Sequence, residues 1–243
     1  MWSICKKEFG QFFSNLTGYL TIFLFLIVNG LFLFFFEDSN LFDRGFASLD
    51  SFFELAPWIL LFMIPAISMR SFSDEYKNGT FEWLKTKPVT MSQIVMGKYM
   101  AILLIVLVIT LPTISYVYTI QSLSANSGID VGGILGSYLG LFLISATYAA
   151  IGIACSSHTQ HAVVAFLLSA FVCLFMYEGF HAFSKMAAFR GGLDYYFDLL
   201  GIDAHYRSIS RGVLDSRDLI YFLSLIFLSL FITRRKIQHK QSS

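Results

Sequence analysis

The sequence predicts an all-α integral membrane protein: six transmembrane helices, an N-terminal interfacial helix, a short cytoplasmic helix between the second and third spans, and short helices on the outer side before the last. Three observations carry this. Hydrophobic residues make up 56% of the 243-residue chain and charged residues only 14%, well below the roughly 25% typical of soluble domains. Six stretches approach the roughly 20 apolar residues that a spanning helix needs. The Lys and Arg residues are unevenly distributed between the two sets of connecting segments.

Residues 1–16 are no span. Trp2, Cys5, Phe9, Phe12, Phe13 and Leu16 recur near helical spacing, with Lys6, Lys7 and Glu8 between them, the pattern of a short helix lying in the interface. The spans follow at about 17–36, 52–69, 99–120, 134–156, 162–183 and 217–233. Glu54 and Glu178 stand near the outer ends of the second and fifth. Pro57, Pro65 and Pro112 lie inside spans, where neighbours must re-satisfy the freed backbone groups. Segments 70–98 and 184–216 are longer than simple connectors and carry aromatic residues, so they read as functional. The chain is expected to form one transmembrane domain over residues 1–243.

An even number of spans puts both termini on one side. Lys6, Lys7, Arg70, Lys77, Lys85, Lys87, Lys98, Arg234, Arg235, Lys236 and Lys240 fall there. Arg44, Lys185, Arg190, Arg207, Arg211 and Arg217 fall on the other side, most of them in one long loop interleaved with aspartates. The termini therefore read as cytoplasmic. The apolar spans point to the lipid bilayer, and the net charge of +1 gives no reason to expect nucleic acid. Cys5, Cys155 and Cys173 form neither a disulfide framework nor a metal-ligand spacing. The first apolar run lacks the small-residue site of a cleavable signal.

In segment 70–98, Asn78-Gly79 is a turn signal. Thr80 is expected to cap a short helix over Phe81–Lys85, Pro88 to end it, and Ser92 to cap the helix leading into the third span. Asp74, Glu75 and Glu82 beside Phe81 and Trp83 have the makeup of a docking surface, apolar anchors in a charged rim. A solvated loop with its aromatics resting on headgroups fits the same pattern. The chain has no G-x-x-x-x-G-K-[ST] motif. Gly97-Lys98 is followed by Tyr99 and opens a span, so it cannot cradle phosphates.

Other residues have two readings. Gly132, Gly136 and Gly140, continued by Ala146, Ala150 and Ala154, allow close helix approach, either within the chain or between subunits. His158 and His161 could share a metal but have no third ligand nearby, so a polar turn is the simpler account. Glu54 and Glu178 are the ionisable groups nearest the membrane. Thr110, Thr113 and Ser115 around Pro112 either line a path or bond back to the helix. Arg207 and Arg211 share a helix face, with Asp203 and Asp215 as salt partners.

The cytoplasmic segment resembles the coupling-helix region of ABC-2-type transporter permeases. The resemblance rests on Asp74-Glu75, Gly79-Thr80-Phe81-Glu82, Pro88-Val89 and Ile94-Val95-Met96-Gly97-Lys98, and on the order of elements along nearly the whole chain. Lys87 departs from the pattern. His205 to Asp215, followed by Asp218 and Tyr221-Phe222, is similar to the segment before the last span in the same superfamily, most of all in the gliding-motility-associated GldF permeases. The resemblance implies several things. A separate ABC ATPase subunit binds the ATP, leaving this chain with no cofactor and no catalytic or metal site. Asp74, Glu75, Gly79, Thr80, Phe81, Glu82 and Pro88 form its coupling loop. A second permease copy or a homologous membrane subunit completes the transporter in the bacterial inner membrane. Re-entrant outer helices close the pathway, which makes Arg207, Arg211, Gly212 and Asp215 gate candidates.

Overall fold

The computed structural model describes residues 1–35, 48–85, 89–123, 130–186 and 193–242, and every regular element among them is helical. Among the described residues six helices are long and apolar enough to cross a membrane: Leu16–Phe34, Asp50–Lys77, Met91–Ser122, Val131–His158, Ala162–Ser184 and Ser216–Gln238. The all-α, six-span architecture expected from hydropathy is therefore the one observed.

The bundle is built around α8 (Val131–His158), opened by Asp130, whose carboxylate accepts the Gly133 amide at 3.0 Å. Its Gly, Ala and Ser residues let other helices approach from several directions. α3 (Asp50–Ser68), α6 (Met91–Thr110), α9 (Ala162–Leu174) and α13 (Ser216–Ser242) pack around it. The most apolar window of α8 is 78% buried, against 17% for α13, so α8 is the hub and α13 a peripheral helix. Phe23, Leu24, Leu167, Phe171, Phe227 and Leu228 are exposed, as residues that face lipid are.

Three elements differ from their expected form. The helix of the second span runs on beyond Met69. It continues as α4 (Arg70–Lys77), because polarity changes there while nothing breaks the backbone. The third-span helix starts at Met91 and is capped by Thr90, not Ser92. Thr90 Oγ1 accepts the Gln93 amide while the Gln93 side chain accepts the Thr90 amide, a reciprocal capping box. Thr80 is not a cap either. Gly79 takes the turn at φ +69°, where a side chain would be strained, so Thr80 is already the first residue of α5 (Thr80–Lys85).

The third-span helix tightens to a 3-10 turn over Leu111–Thr113 at Pro112 before α7 (Ile114–Leu123). Thr110 donates to the Val106 carbonyl, Thr113 to Thr110 and Ser115 to Pro112, which is the back-bonding arrangement. The fifth span widens to a π-turn over Phe175–Gly179, which joins α9 to α10 (Phe180–Ser184).

Candidate functional site

At the end of the bundle that carries the termini, three elements converge on Lys98. Its Nζ donates to Glu8 Oε1 at 2.9 Å, to Glu75 Oε1 at 2.8 Å and to the Ser71 carbonyl at 2.6 Å. The ammonium also lies 5.0 Å from the centre of the Phe72 ring. Lys98 is 1% exposed, and Glu75 and Glu8 are 14% and 22% exposed, so the ion pairs are largely desolvated. Glu8 comes from α1 (Trp2–Phe13), Glu75 from α4 and Lys98 from α6. Gly97 makes this geometry available. A Cβ there would stand 3.0 Å from Ile4 Cβ and from the Met1 carbonyl, so α1 crosses α6 where a side chain is missing. The Gly97-Lys98 pair thus brings α1 close and then anchors it.

The base of α4 is held from the other side by α8. Ser156 Oγ accepts the Phe72 and Ser73 amides at 3.0 and 3.2 Å and donates to the Met69 carbonyl at 2.9 Å, so a hydroxyl is inserted into the helix ladder where α3 becomes α4. One turn away Gly152 lies directly against the Ser68 side chain. Ser156 and Gly152 were not singled out from the sequence. A serine and a glycine in an apolar helix are ordinary, and their role depends on a partner more than 80 residues away.

The predicted docking residues divide by exposure. Glu75 turns inward to Lys98, and Phe81 is 2% exposed, with its ring edge-on to Tyr76 at 5.0 Å. Glu82 and Thr80 are exposed, Trp83 is 79% exposed, and Asp74 is half-buried. The Thr80 hydroxyl points back to the Glu75 carbonyl at 3.5 Å. Pro88 lies outside the described residues. The outward surface of the segment is therefore Thr80, Glu82 and Trp83, standing on an internal layer of Phe81, Tyr76 and Phe72.

At the opposite end, α11 (Leu193–Leu199) and α12 (Ile202–Ser210) lie over the bundle. The glycines of α8 receive α12 of the same chain. A Cβ on Gly136 would meet the Ile209 carbonyl at 2.5 Å, and one on Gly140 would meet the Tyr206 ring at 2.9 Å. Gly212, at φ +80°, sits against the backbone of Gly132 and Gly133. Ser137 donates to the Ser210 carbonyl at 3.1 Å. Tyr206 donates to the Phe53 carbonyl at 2.7 Å. That carbonyl has lost its usual helix partner, because the residue four positions on is Pro57. Burial, then Tyr177, Asp203 and Glu54 nearby, push the Tyr206 hydroxyl well above the ordinary tyrosine range, so it remains a donor. His205 Nδ1 faces Asp218 at 2.6 Å and Nε2 faces the Leu199 carbonyl at 2.8 Å, with the ring stacked on Tyr221 at 4.0 Å. This ties α12 to α13.

Arg207 pairs with Asp203 one turn earlier. Arg211 does not pair with Asp215. Its Nε donates to the Arg207 carbonyl, and Asp215 accepts the Arg217 amide at the start of α13. Glu54, Glu178, Arg207 and Arg211 all line one cavity of about 710 Å³ at this end, walled by Trp58, Tyr177 and Tyr206. The structure thus brings together groups that the sequence presents as separate candidates. His158 Nδ1 lies 2.8 Å from the Ala154 carbonyl.

The sequence matches the family described as ABC-2 family transporter protein over residues 2–189, from α1 past α10. No curated protein matches it. The match covers the interfacial helix, the Lys98 node, the short helix α5 and five of the six membrane-length helices, and the chain belongs to the ABC-2 family of transporter membrane proteins.

Proposed function

We propose that this chain is the permease subunit of an ATP-driven transporter, with a separate ABC ATPase docking on the segment from Asp74 to Pro88. The Lys98 node carries the reading. A load applied to Glu82 or Trp83 acts on α5, which packs on α4 through Phe81 and Tyr76. α4 is fastened to α6 and α1 by Lys98 and to α8 by Ser156. A push on the short exposed helix is thereby delivered through α4 to the central helix of the bundle. The charge asymmetry supports cytoplasmic termini and an ATPase on the same side as the node, and the resemblance to the gliding-motility-associated permeases supports a bacterial inner-membrane location. ATP is bound and hydrolysed by the partner, and this chain works with a second permease copy or a homologous membrane subunit.

The resemblance of His205–Asp215 to the GldF permeases supports a place in a gliding-motility apparatus, with export or force on the envelope as the output. Two experiments test the proposal. Glu82→Lys should lower co-purification with the ATPase at least about tenfold, about 1.4 kcal/mol, while membrane insertion is unchanged. Undiminished co-purification would remove the docking assignment. Deleting the gene should abolish surface spreading. Cells that still glide but become drug-sensitive would instead mark a drug-export permease of the same family.

A further inference from the structure

The turn between α11 and α12 is fastened to the start of α13 by a histidine–aspartate pair and a tyrosine. His205 Nδ1 stands 2.6 Å from Asp218 Oδ1, and Nε2 stands 2.8 Å from the Leu199 carbonyl. Tyr221, whose ring stacks on the imidazole, donates to the Leu200 carbonyl at 2.6 Å. The His205 and Asp218 side chains are 7% and 8% exposed, so water does not share these contacts. Both ring nitrogens therefore face acceptors. A neutral imidazole carries one N–H and one lone pair, and it cannot satisfy both contacts beside an ionised Asp218. The geometry requires two protons, one on Nε2 for the Leu199 carbonyl and one between Nδ1 and Asp218. His181 provides the contrast. Its Nδ1 meets Asp198 Oδ1 at 2.7 Å, no second acceptor meets its ring among the described residues, and the pair is more open to solvent. One N–H suffices there.

We propose that His205 and Asp218 form a proton-dependent latch at the cavity end of the bundle. While the pair holds both protons, the α11–α12 turn is fixed to α13. When one proton leaves to water, the turn is released. Without that proton two acceptors face each other, either Nε2 and the Leu199 carbonyl or Nδ1 and the carboxylate, and a net negative charge is left buried. The direction follows from the proton count. Above the ordinary titration range of imidazole, the released pair holds one proton, because the ring is neutral and the carboxylate ionised. The latched pair holds two. Opening thus releases one proton, so the latch is firm at lower pH and weakens as pH rises, at most about tenfold per pH unit. The other titratable groups around α12 are engaged elsewhere. Asp203 and Arg207 pair with each other on the cavity side, where the π-turn presents Tyr177 and Glu178. α8 brings Tyr148 near Tyr206 and Asp203. On α11, Asp198 meets His181, and Asp215 and Arg217 beside Asp218 are exposed. α12 stays seated on α8 through Gly136 and Gly140, so the freed part is the turn and α11. The latch does not depend on ATPase docking.

The test follows backbone hydrogen exchange of the purified full chain in detergent from pH ~6 to ~9, as protection factors, so that the intrinsic pH dependence of exchange cancels. The reporters are the Leu200 and Gly201 amides, which donate to the Phe197 and Asp198 carbonyls. Their protection should fall by up to about tenfold per pH unit, while the amides of residues 206–210 keep theirs. Asp218→Asn is the decisive variant. A side-chain amide there donates to Nδ1 of a neutral imidazole and leaves Nε2–H for the Leu199 carbonyl. The turn should then stay protected and the pH dependence should vanish, which a merely structural role for Asp218 does not predict. His181→Gln should keep the wild-type pH dependence. Protection of the turn that is flat with pH in the wild type, or a wild-type slope retained in Asp218→Asn, overturns the latch. A slope abolished by His181→Gln assigns the effect to the other pair and overturns it too. Should Asp218→Asn fail to fold, NMR of the histidine rings in the wild type decides. The His205 ring state must change over the pH range in which protection is lost, and a ring that stays unchanged there ends the proposal.

Discussion

At one end of the bundle three helices meet on a single buried ammonium. At the other, α12 is clasped to α8 by missing side chains and neutral hydrogen bonds. The two joints have different energetics. A desolvated ion triad is stabilising only while every member is present, since removing one partner leaves the others charged and buried. The glycine clasp is graded, because each contact contributes its own increment of packing or hydrogen bonding. A joint that depends on all its members suits the proposed coupling, in which α1, α4 and α6 move together. A graded joint suits an end that only has to keep a short helix seated.

The largest expected effect tests the all-or-none character of the ionic joint. Lys98→Met leaves Glu8 and Glu75 facing each other without a cation and should cost about 3–5 kcal/mol. The readouts are thermal unfolding in detergent and the yield of monodisperse protein. Adding Glu8→Gln and Glu75→Gln to Lys98→Met should recover most of that loss. A Lys98→Met protein as stable as wild type would end the comparison.

The next effect belongs to the clasp. Gly136→Val drives a branched side chain into the Ile209 carbonyl and should cost about 3 kcal/mol, near the upper end of overpacking penalties. The same substitution at Gly10, where nothing lies within 4 Å, is the control that separates packing from loss of glycine itself. Equal melting shifts at the two positions would contradict the clasp.

The smallest effect is Tyr206→Phe. It removes one donor from the Phe53 carbonyl, which Pro57 has already left without its helix partner, and should cost about 1–2 kcal/mol. Restoring an amide by Pro57→Ala in the Tyr206→Phe background should return part of that loss. No recovery would mean that the tyrosine works by its ring rather than by its hydroxyl.

Much of the fold could be read from the chain. Hydropathy and length are properties of contiguous residues, so the six spans and the interfacial helix appear as runs and periodicities. The turn at Asn78-Gly79 was legible for the same reason, because a positive φ is written locally in a glycine. The capping box at Thr90 was equally local, with Gln93 three residues on, and the adjacent Ser92 drew the cap two residues too far. The α3–α4 continuity was not legible, because polarity reports where the membrane ends and not where a helix ends. In the sequence Lys98 is only one basic residue of a connecting segment and the end of a short motif. Its carboxylate partners lie 23 and 90 residues away, and no local pattern pairs them. The acidity of Glu75 predicts an outward side chain, and the fold turns it inward to Lys98.

The sequence by itself therefore determined that the chain is an all-α, six-span membrane protein with a short amphipathic helix before the first span and a short polar helix before the third. Those features follow from the free energy of placing each segment in lipid or water, which each segment meets on its own. The tertiary structure alone decided which charges are internal, which glycines receive a neighbouring helix, and that Lys98 joins α1, α4 and α6. Burial and ion pairing depend on distances between residues far apart in the chain, and those distances exist only once the helices have packed.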